Sequence, residues 1–326
     1  MDMTLRVIDQ ETVRRILTYE ACIPLMREAM MALSGGRTIP VLRQIIDLKD
    51  GRAFGVMPGA AEATFGAKMI SVYPENFAKG IQSHQGAVLL FDPESGALAA
   101  VIHAGEVTAI RTAAATAAAS DVLARPDASR LAILGYGEQA HQHAHAMVQV
   151  RPVSEIRLWG RSADRALTLA KRLEAELERP VIVAPSAREA VRDADLICTV
   201  TAAAEPILES AWVADGAHVN LVGSSRDGPR EVDDALVARG RLFADHREGA
   251  LKQGAEVRHA IAAGLIGEDH VLGEIGEVMS GAKAGRQSSG DVTLYKSLGA
   301  IVQDLYAGWF IYERALAEGL GTEAAF

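Results

Sequence analysis

A short apolar run, Leu131-Ala132-Ile133-Leu134, breaks directly into Gly135-Tyr136-Gly137-Glu138-Gln139-Ala140 and then into a helical pattern reaching about Val150. Few folds accept this order. The first glycine permits a tight exit from a buried strand, the second lets backbone come close to a bound group, and the small Ala140 lets the helix pack on the strand. The N–H groups of the helix start then point at an anion. With a strand before it and a helix after it, the spacing Gly-x-Gly-x-x-Ala predicts a dinucleotide pyrophosphate site. Beyond it, strand and helix signals alternate. Strands are expected at Ile156–Trp159 and near 181–183, 195–200, 218–222 and 241–244, with a helix over 163–177 and further helical segments between most of them. Such alternation predicts an α/β domain of Rossmann type, a doubly wound parallel sheet covered on both faces.

The first third of the chain is patterned differently. Residues 11–33 read as helix, broken near Pro24 and stopped by Gly35-Gly36. Strand-like segments follow at 38–47, 52–57 and 65–73. Val88–Phe91, the turn Asp92–Gly96 and Ala97–Ile102 read as a hairpin. Strands in succession without helices between them predict a mostly antiparallel or mixed sheet. Residues 106–124 form an alanine-rich helix, and Val292–Leu316 reads as one long helix with no strand after it, able to pack back on the first domain. The expected organisation is therefore an α+β substrate and dimerisation domain from residues 1–122 and 300–326, and a dinucleotide-binding domain over 123–299.

Bulk composition narrows the partners. The 326 residues carry a formal net charge of -9, which argues against nucleic acid or an anionic membrane. No apolar run approaches the roughly 20 residues of a membrane span, and the start Met-Asp-Met-Thr has no basic stretch leading into an apolar core. A cytoplasmic protein is expected. Two cysteines, Cys22 and Cys198, far apart in sequence, make no disulfide framework, and Cys198 reads as a buried strand residue.

The cofactor reading extends beyond Gly135, Tyr136, Gly137, Glu138, Gln139 and Ala140. The second strand ends in Trp159-Gly160-Arg161-Ser162, where a cofactor with a free ribose 2′-hydroxyl usually meets an acid. None stands there. Arg161 suits a 2′-phosphate, with Ser162 adding a hydroxyl, so NADP(H) is favoured over NAD(H), which stays open. Thr199-Val200-Thr201 and Val222-Gly223-Ser224 end later strands, where ligands of parallel sheets collect. Lys296 and Ser297, read as the start of the last helix, border the same region or merely open a helix.

Three cations of the first domain stand out: Arg43, Lys68 and Arg111. Lys68 and Arg111 have apolar neighbours, and a buried cation needs an anionic partner. A substrate carboxylate meets that need. Arg grips it bidentately, and a Lys of lowered pKa can also transfer a proton.

Taken together, Phe65-Gly66-Ala67-Lys68, Thr108-Ala109-Ile110-Arg111-Thr112-Ala113-Ala114, the Gly135–Ala140 turn, Val222-Gly223-Ser224-Ser225 and Thr293-Leu294-Tyr295-Lys296-Ser297-Leu298-Gly299 resemble the ornithine cyclodeaminase/μ-crystallin family, in family order along nearly the whole chain. The resemblance implies a homodimer, and implies that Arg43, Lys68 and Arg111 bind the carboxylate of a small amino or imino acid beside the nicotinamide. In the cyclodeaminase branch an Asp follows the Val-Gly-Gly turn and a Glu precedes Met-Pro. Here Ser225 and Val56 stand in those places, and Asp227 is displaced by two residues. The resemblance is thus more to the branch that reduces cyclic or open ketimines, or acts as an amino-acid dehydrogenase of alanine dehydrogenase type; an ornithine cyclodeaminase-type ammonia lyase and a cofactor-binding crystallin without turnover stay open as alternatives. In the expected reaction Arg43 and Arg111 clamp the carboxylate and Lys68, or a water it positions, protonates the imine nitrogen. Ser225 bonds the substrate nitrogen or the nicotinamide amide.

Four histidines complete the reading. His84 either contacts a second polar group of the substrate or makes a local turn bond. His141, His143 and His145 invite a metal, since 141 and 145 share a helix face, but no acidic or cysteine partner lies near them in sequence, and no metal is expected. Asp233-Asp234 reads as an acidic helix start.

Overall fold

The computed structural model describes residues 5–224 and 228–325, apart from the side chains of Phe77 and Ala78. The chain divides into two compact units, Met1–Arg111 with Ala300–Phe326, and Thr112–Gly299. The division falls inside the helix Ala104–Leu123, which belongs to both. No described helix is long and apolar enough to cross a membrane.

In chain order the strands are β1 (Leu5–Ile8), β2 (Ile39–Pro40), β3 (Gln44–Lys49), β4 (Arg52–Ala60), β5 (Phe65–Val72), β6 (His84–Phe91), β7 (Leu98–His103), β8 (Arg130–Leu134), β9 (Glu155–Trp159), β10 (Val181–Val183), β11 (Leu196–Thr199), β12 (His218–Leu221), β13 (Arg241–Ala244), β14 (Val271–Glu274), β15 (Thr293–Lys296) and β16 (Thr322–Ala324).

The discontinuous unit is α+β. Its sheet runs β16-β1-β7-β6-β5-β4-β2, with β3 paired to β4. Every pairing is antiparallel except β1 with β7. The helix Ile301–Glu318 lies on β4, β5 and β6. Val88 and Leu90 of the sheet, Met26 and Met30 of the helix Tyr19–Ser34, and Leu305 and Ile311 are fully buried around it. Two expectations need correction here. The first helical stretch breaks at Leu17-Thr18 and not at Pro24, which lies inside the helix Tyr19–Ser34. Thr18 decides this, because its hydroxyl caps the new helix by accepting the Ala21 N–H at 3.4 Å. The chain also ends in a strand: β16 pairs antiparallel with β1, Leu5 opposite Ala324.

The second unit is a parallel eight-stranded sheet in the order β10-β9-β8-β11-β12-β15-β13-β14. Its first five strands have the Rossmann order, with the reversal between β8 and β11. All residues of β11, β12 and β15 are buried, as helices on both faces require. Thr293–Lys296, expected to be helical, is a central strand here. Gly299, at φ +83°, turns the chain before the last helix begins at Ile301. A four-residue strand running into an apolar helix shares its hydrophobicity, and the periodicity could not separate them.

Candidate active site

In the parallel unit, the Gly-rich turn lies at the strand-order reversal. Gly135 has φ +136°, and a Cβ there would stand 2.9 Å from both Cγ2 and the carbonyl oxygen of Val200. Only glycine fits, because its neighbour is the end of β11. The Gly135 N–H donates to Trp159 O at 2.8 Å and the Val200 N–H to Leu134 O at 2.9 Å, so β8, β9 and β11 end together. Over Gly137 nothing comes within 4 Å of an added Cβ. The helix Glu138–Val150 starts there, and no side chain caps it. Gln139 Oε1 and Ser297 Oγ are buried with no hydrogen-bond partner among the described residues. An open, uncapped thirteen-residue helix start above a glycine turn is a cradle for a pyrophosphate, so these residues fit a dinucleotide.

Around this cradle the expected residues take different roles. Tyr136 lies against Gly160, where a Cβ would come within 2.1 Å of its ring. Arg161 is exposed, with no partner among the described residues, and Ser162 caps the next helix by accepting the Arg165 N–H at 3.4 Å. Ala140 is buried, as close helix packing requires. Thr199 is fully buried and donates to Asn220 O at 3.3 Å. Val222 is buried and its N–H donates to Thr199 O at 3.1 Å, and the Ser224 hydroxyl donates to Pro229 O.

Lys296 is wholly buried and ends β15, rather than opening a helix. Its ammonium pairs with Glu256 at 2.8 Å and donates to Ser224 O, so its charge is met inside the protein.

Glu231, which the sequence reading passed over, accepts the Thr201 N–H at 2.6 Å, the Thr201 hydroxyl at 2.7 Å and the Gly223 N–H at 2.8 Å. It ties the ends of β11 and β12 together. Burial raises its pKa and Glu256 adds to the rise, against the bonds from Thr201. A lone glutamate in a loop gives no sequence signal for this. Ser225 and Asp227 lie outside the described residues.

In the α+β unit, Lys68 and Arg111 meet as expected, but around an anion the chain itself supplies. Lys68 is the one buried residue of β5, directly opposite Val88. Its Nζ is 2.8 Å from Asp304 Oδ2, and Arg111 Nε is 3.0 Å from Asp304 Oδ1. Arg111 Nη1 also donates to Gln303 Oε1 at 2.5 Å. Lys68 and Arg111 are 3% exposed and Asp304 is fully buried. The anionic partner that the sequence reading assigned to substrate is thus present before any substrate binds.

The charges are unequal. Burial lowers the Lys68 pKa first and Arg111 second, both against the pull of Asp304, and Arg43 lowers it further, to about 7. Burial works to raise the Asp304 carboxyl, but Arg111 and Lys68 hold it below the ordinary range. Arg43, half-buried just before β3, therefore acts on the same cluster. Among the described residues, two buried cations, Lys68 and Arg111, thus share one carboxylate, an environment suited to a second carboxylate.

Solvent reaches His84, whose ring nitrogen Nδ1 is 2.9 Å from Ser83 Oγ. Its pKa is lowered by the protein around it first and by Lys68 second, which places it within reach of the cluster's field. Val56 pairs across the sheet with Met69, and Met57 with Lys68, so no carboxylate stands at the residue before Met57-Pro58.

The remaining histidines separate. His143 is buried and bonds Gln139 O at 2.7 Å and Thr116 Oγ1 at 3.2 Å. His141 and His145 turn outward toward Glu176. Asp233 caps the helix Asp234–Arg239, accepting the Leu236 N–H at 2.9 Å.

A Rossmann-type unit with a glycine cradle and an α+β unit carrying a buried Lys–Asp–Arg cluster define a nicotinamide-dinucleotide-binding protein of two-domain type. The chain belongs to the ornithine cyclodeaminase/mu-crystallin family, whose model matches residues 4–319. It is 39% identical over 282 residues to the ketimine reductase mu-crystallin of Mus musculus, covering 86% of each chain. The Δ1-pyrroline-2-carboxylate reductase of Thermococcus litoralis, in complex with NADH and L-proline, superposes with a TM-score of 0.95 at 30% identity, covering 98% of this chain and 100% of that one. An archaeal alanine dehydrogenase dimer with bound NAD superposes with a TM-score of 0.94 at 27% identity, covering 99% and 100%.

Proposed function

We propose that this chain is an NAD(P)H-dependent reductase of imino acids or ketimines, for example of a cyclic imine carboxylate to the cyclic amino acid. The observation that carries this reading is the pair of buried cations, Lys68 and Arg111, that share the single carboxylate of Asp304. A substrate carboxylate completes that charge balance. Bound at the Gly135–Ala140 cradle, the reduced cofactor supplies the hydride.

The chain's own residues do the rest. Arg43 and Arg111 hold the carboxylate and so fix the orientation of the C=N bond. Lys68 Nζ, with a pKa of about 7, carries a proton for the substrate nitrogen at neutral pH and loses it without large cost. Protonation turns the imine into an iminium, whose carbon accepts a hydride; one hydride and one proton convert C=N into CH–NH. Asp304 keeps Lys68 from losing its proton too early. Ser225 and His84 are candidates for contact with the substrate nitrogen and its far end. Val56 leaves the ornithine-cyclising branch without a carboxylate at that position, which favours reduction over ammonia loss.

For the cofactor, Arg161 favours NADP(H) over NAD(H), since it is exposed just after β9 with no acidic partner among the described residues. A homodimer is favoured by β3, exposed at all six positions, with Ile45 48%, Ile46 58% and Leu48 43% exposed. Neighbouring Ile45 and Ile46 point to opposite faces, so water meets apolar side chains on both sides of one strand, and a second copy of the chain would cover them. A cytoplasmic setting fits the same reading.

The test is oxidation of NADPH and NADH with a panel of cyclic imine carboxylates, and with 2-oxo acids plus ammonia or methylamine. Oxidation with preformed imines supports the proposal. Turnover with pyruvate and ammonia alone marks an alanine dehydrogenase, ammonia release from ornithine without net redox a cyclodeaminase, and binding without turnover a crystallin-like protein.

A further inference from the structure

The outer face of the parallel unit carries a cluster that the reaction does not use. His141 and His145 lie one turn apart on the helix Glu138–Val150, so their side chains share a face. Glu176 comes from the last turn of the helix Ala163–Leu177. His141 Nε2 is 2.6 Å and His145 Nε2 2.9 Å from the same oxygen, Glu176 Oε2. All three donor atoms lie within 4.8 Å of one another, and the imidazole centroids are 4.6 Å apart. The other carboxylate oxygen, Oε1, is taken by Arg172 Nε at 2.8 Å. Sequence distance hid this acid: thirty-one residues separate His145 from Glu176, and only the packing of the two helices brings them together.

We propose that His141, His145 and Glu176 form a binding site for a borderline divalent transition metal, of which Zn²⁺ is the type. Two imidazole nitrogens and one carboxylate oxygen are the donor set that such ions take, with the fourth tetrahedral position left to water. The side chains are 17%, 24% and 34% exposed, so an ion reaches them directly from solvent while one side stays anchored on the helices. Burial works to raise Glu176, but bonds from Arg172, His145 and His141 bring it down to about 2. Burial lowers His141 below its ordinary value. Arg172 both orients the carboxylate and repels a cation, which selects ions that bond strongly to imidazole over Mg²⁺ or Ca²⁺. Binding moves the Nε2 protons that now face Oε2 to the Nδ1 positions, or releases them. The ion then clips together the two helices that begin at the dinucleotide turn and at Ser162.

The experiment is titration of the untagged full chain, stripped with chelator, with ZnCl₂ in a calorimeter and with CoCl₂ in a spectrophotometer. The expected result is one ion per chain at about micromolar affinity, with intense visible bands of low-coordinate cobalt. The variants His141→Ala, His145→Ala and Glu176→Gln should each weaken Zn²⁺ at least about tenfold. Zn²⁺ should raise the melting temperature of the wild type and not of the His141→Ala/His145→Ala double variant, whose circular dichroism checks its fold. MgCl₂ should do neither. Absence of Zn²⁺ binding below about 1 mM, or a folded double variant that binds one Zn²⁺ as tightly as wild type, overturns the proposal.

Discussion

Replacing Asp304 with Asn tests how the buried cluster sets its proton. The Lys68 Nζ to Asp304 Oδ2 distance is 2.8 Å. At that separation two unit charges interact by about 6 kcal/mol at an effective dielectric near 20, equivalent to about four pH units in the lysine pKa. Burial and Arg111 already bring Lys68 down to about 7 with the carboxylate in place. Without it both downward effects act unopposed. An amide oxygen still accepts a hydrogen bond and recovers part of the loss, so a pKa near 5 or below is a conservative expectation. If protonated Lys68 is the acid, kcat/KM for imine reduction in the wild type falls tenfold per unit above about pH 7. In Asp304→Asn the same limb begins about two units lower, and at pH 7.5 the variant is slower by about 100-fold. The assay is steady-state oxidation of reduced cofactor from pH 5 to 9 with one cyclic imine carboxylate, beside a fluorescence titration of cofactor affinity, which should not change. A variant that keeps the wild-type alkaline limb refutes the assignment of the proton to Lys68. Stability gives an independent check of sign. The folded pKa of Lys68 lies below its unfolded value of 10.5, so between about pH 7 and 10.5 the unfolded chain binds more protons. This group alone therefore makes the fold more stable as pH rises through that window, and the rise should vanish in Lys68→Met, as read from urea midpoints.

Lys68→Ala should abolish imine reduction while cofactor affinity stays within about twofold, measured by fluorescence titration, because Lys68 belongs to the unit that does not hold the glycine cradle. Arg161→Ala should weaken NADPH by about 10- to 100-fold and leave NADH unchanged, as expected for loss of a charge-assisted bond to a 2′-phosphate; equal NADPH affinity removes the case for NADP(H). Ile45→Asp with Ile46→Asp should convert a dimer to monomers in sedimentation velocity with the far-ultraviolet spectrum intact, and an unchanged sedimentation coefficient places the interface elsewhere.

Where the sequence was legible, one short-range rule decided the structure. The Gly135–Ala140 turn, its strand and its helix sit within twenty residues of one another, with Gly135 pressed against Val200 and Gly137 leaving open space, as the motif itself implies. The hairpin through Asp92 and the alanine-rich helix were readable for the same reason. The C-terminal segment was not. Thr293–Lys296 is apolar and short, it runs on into an apolar helix, and what makes it a strand is the place between β12 and β13 that it fills. Pro24 misled in the opposite direction, because a helix start is chosen by whichever residue caps it, and Thr18 caps better than Pro24 breaks.

The site divides along the same line. Lys68 and Arg111 were singled out because a charge among apolar residues violates local preference, and a violation is visible one residue at a time. Their partner was not visible. Asp304 stands in the first turn of its helix, where a carboxylate is ordinary, and it lies 236 residues from Lys68 and 193 from Arg111. Glu231 and Glu176 are hidden in the same manner: one is a loop acid that braces two strand ends, the other a helix acid that meets two histidines of another helix. In each case the cation or donor announces a need and the carboxylate that answers it looks like surface. A buried positive group thus predicts an anion without saying whether the chain or the ligand provides it. Here, among the described residues, the chain sets one carboxylate between two buried cations, and that imbalance is the reason to expect a second carboxylate from the substrate.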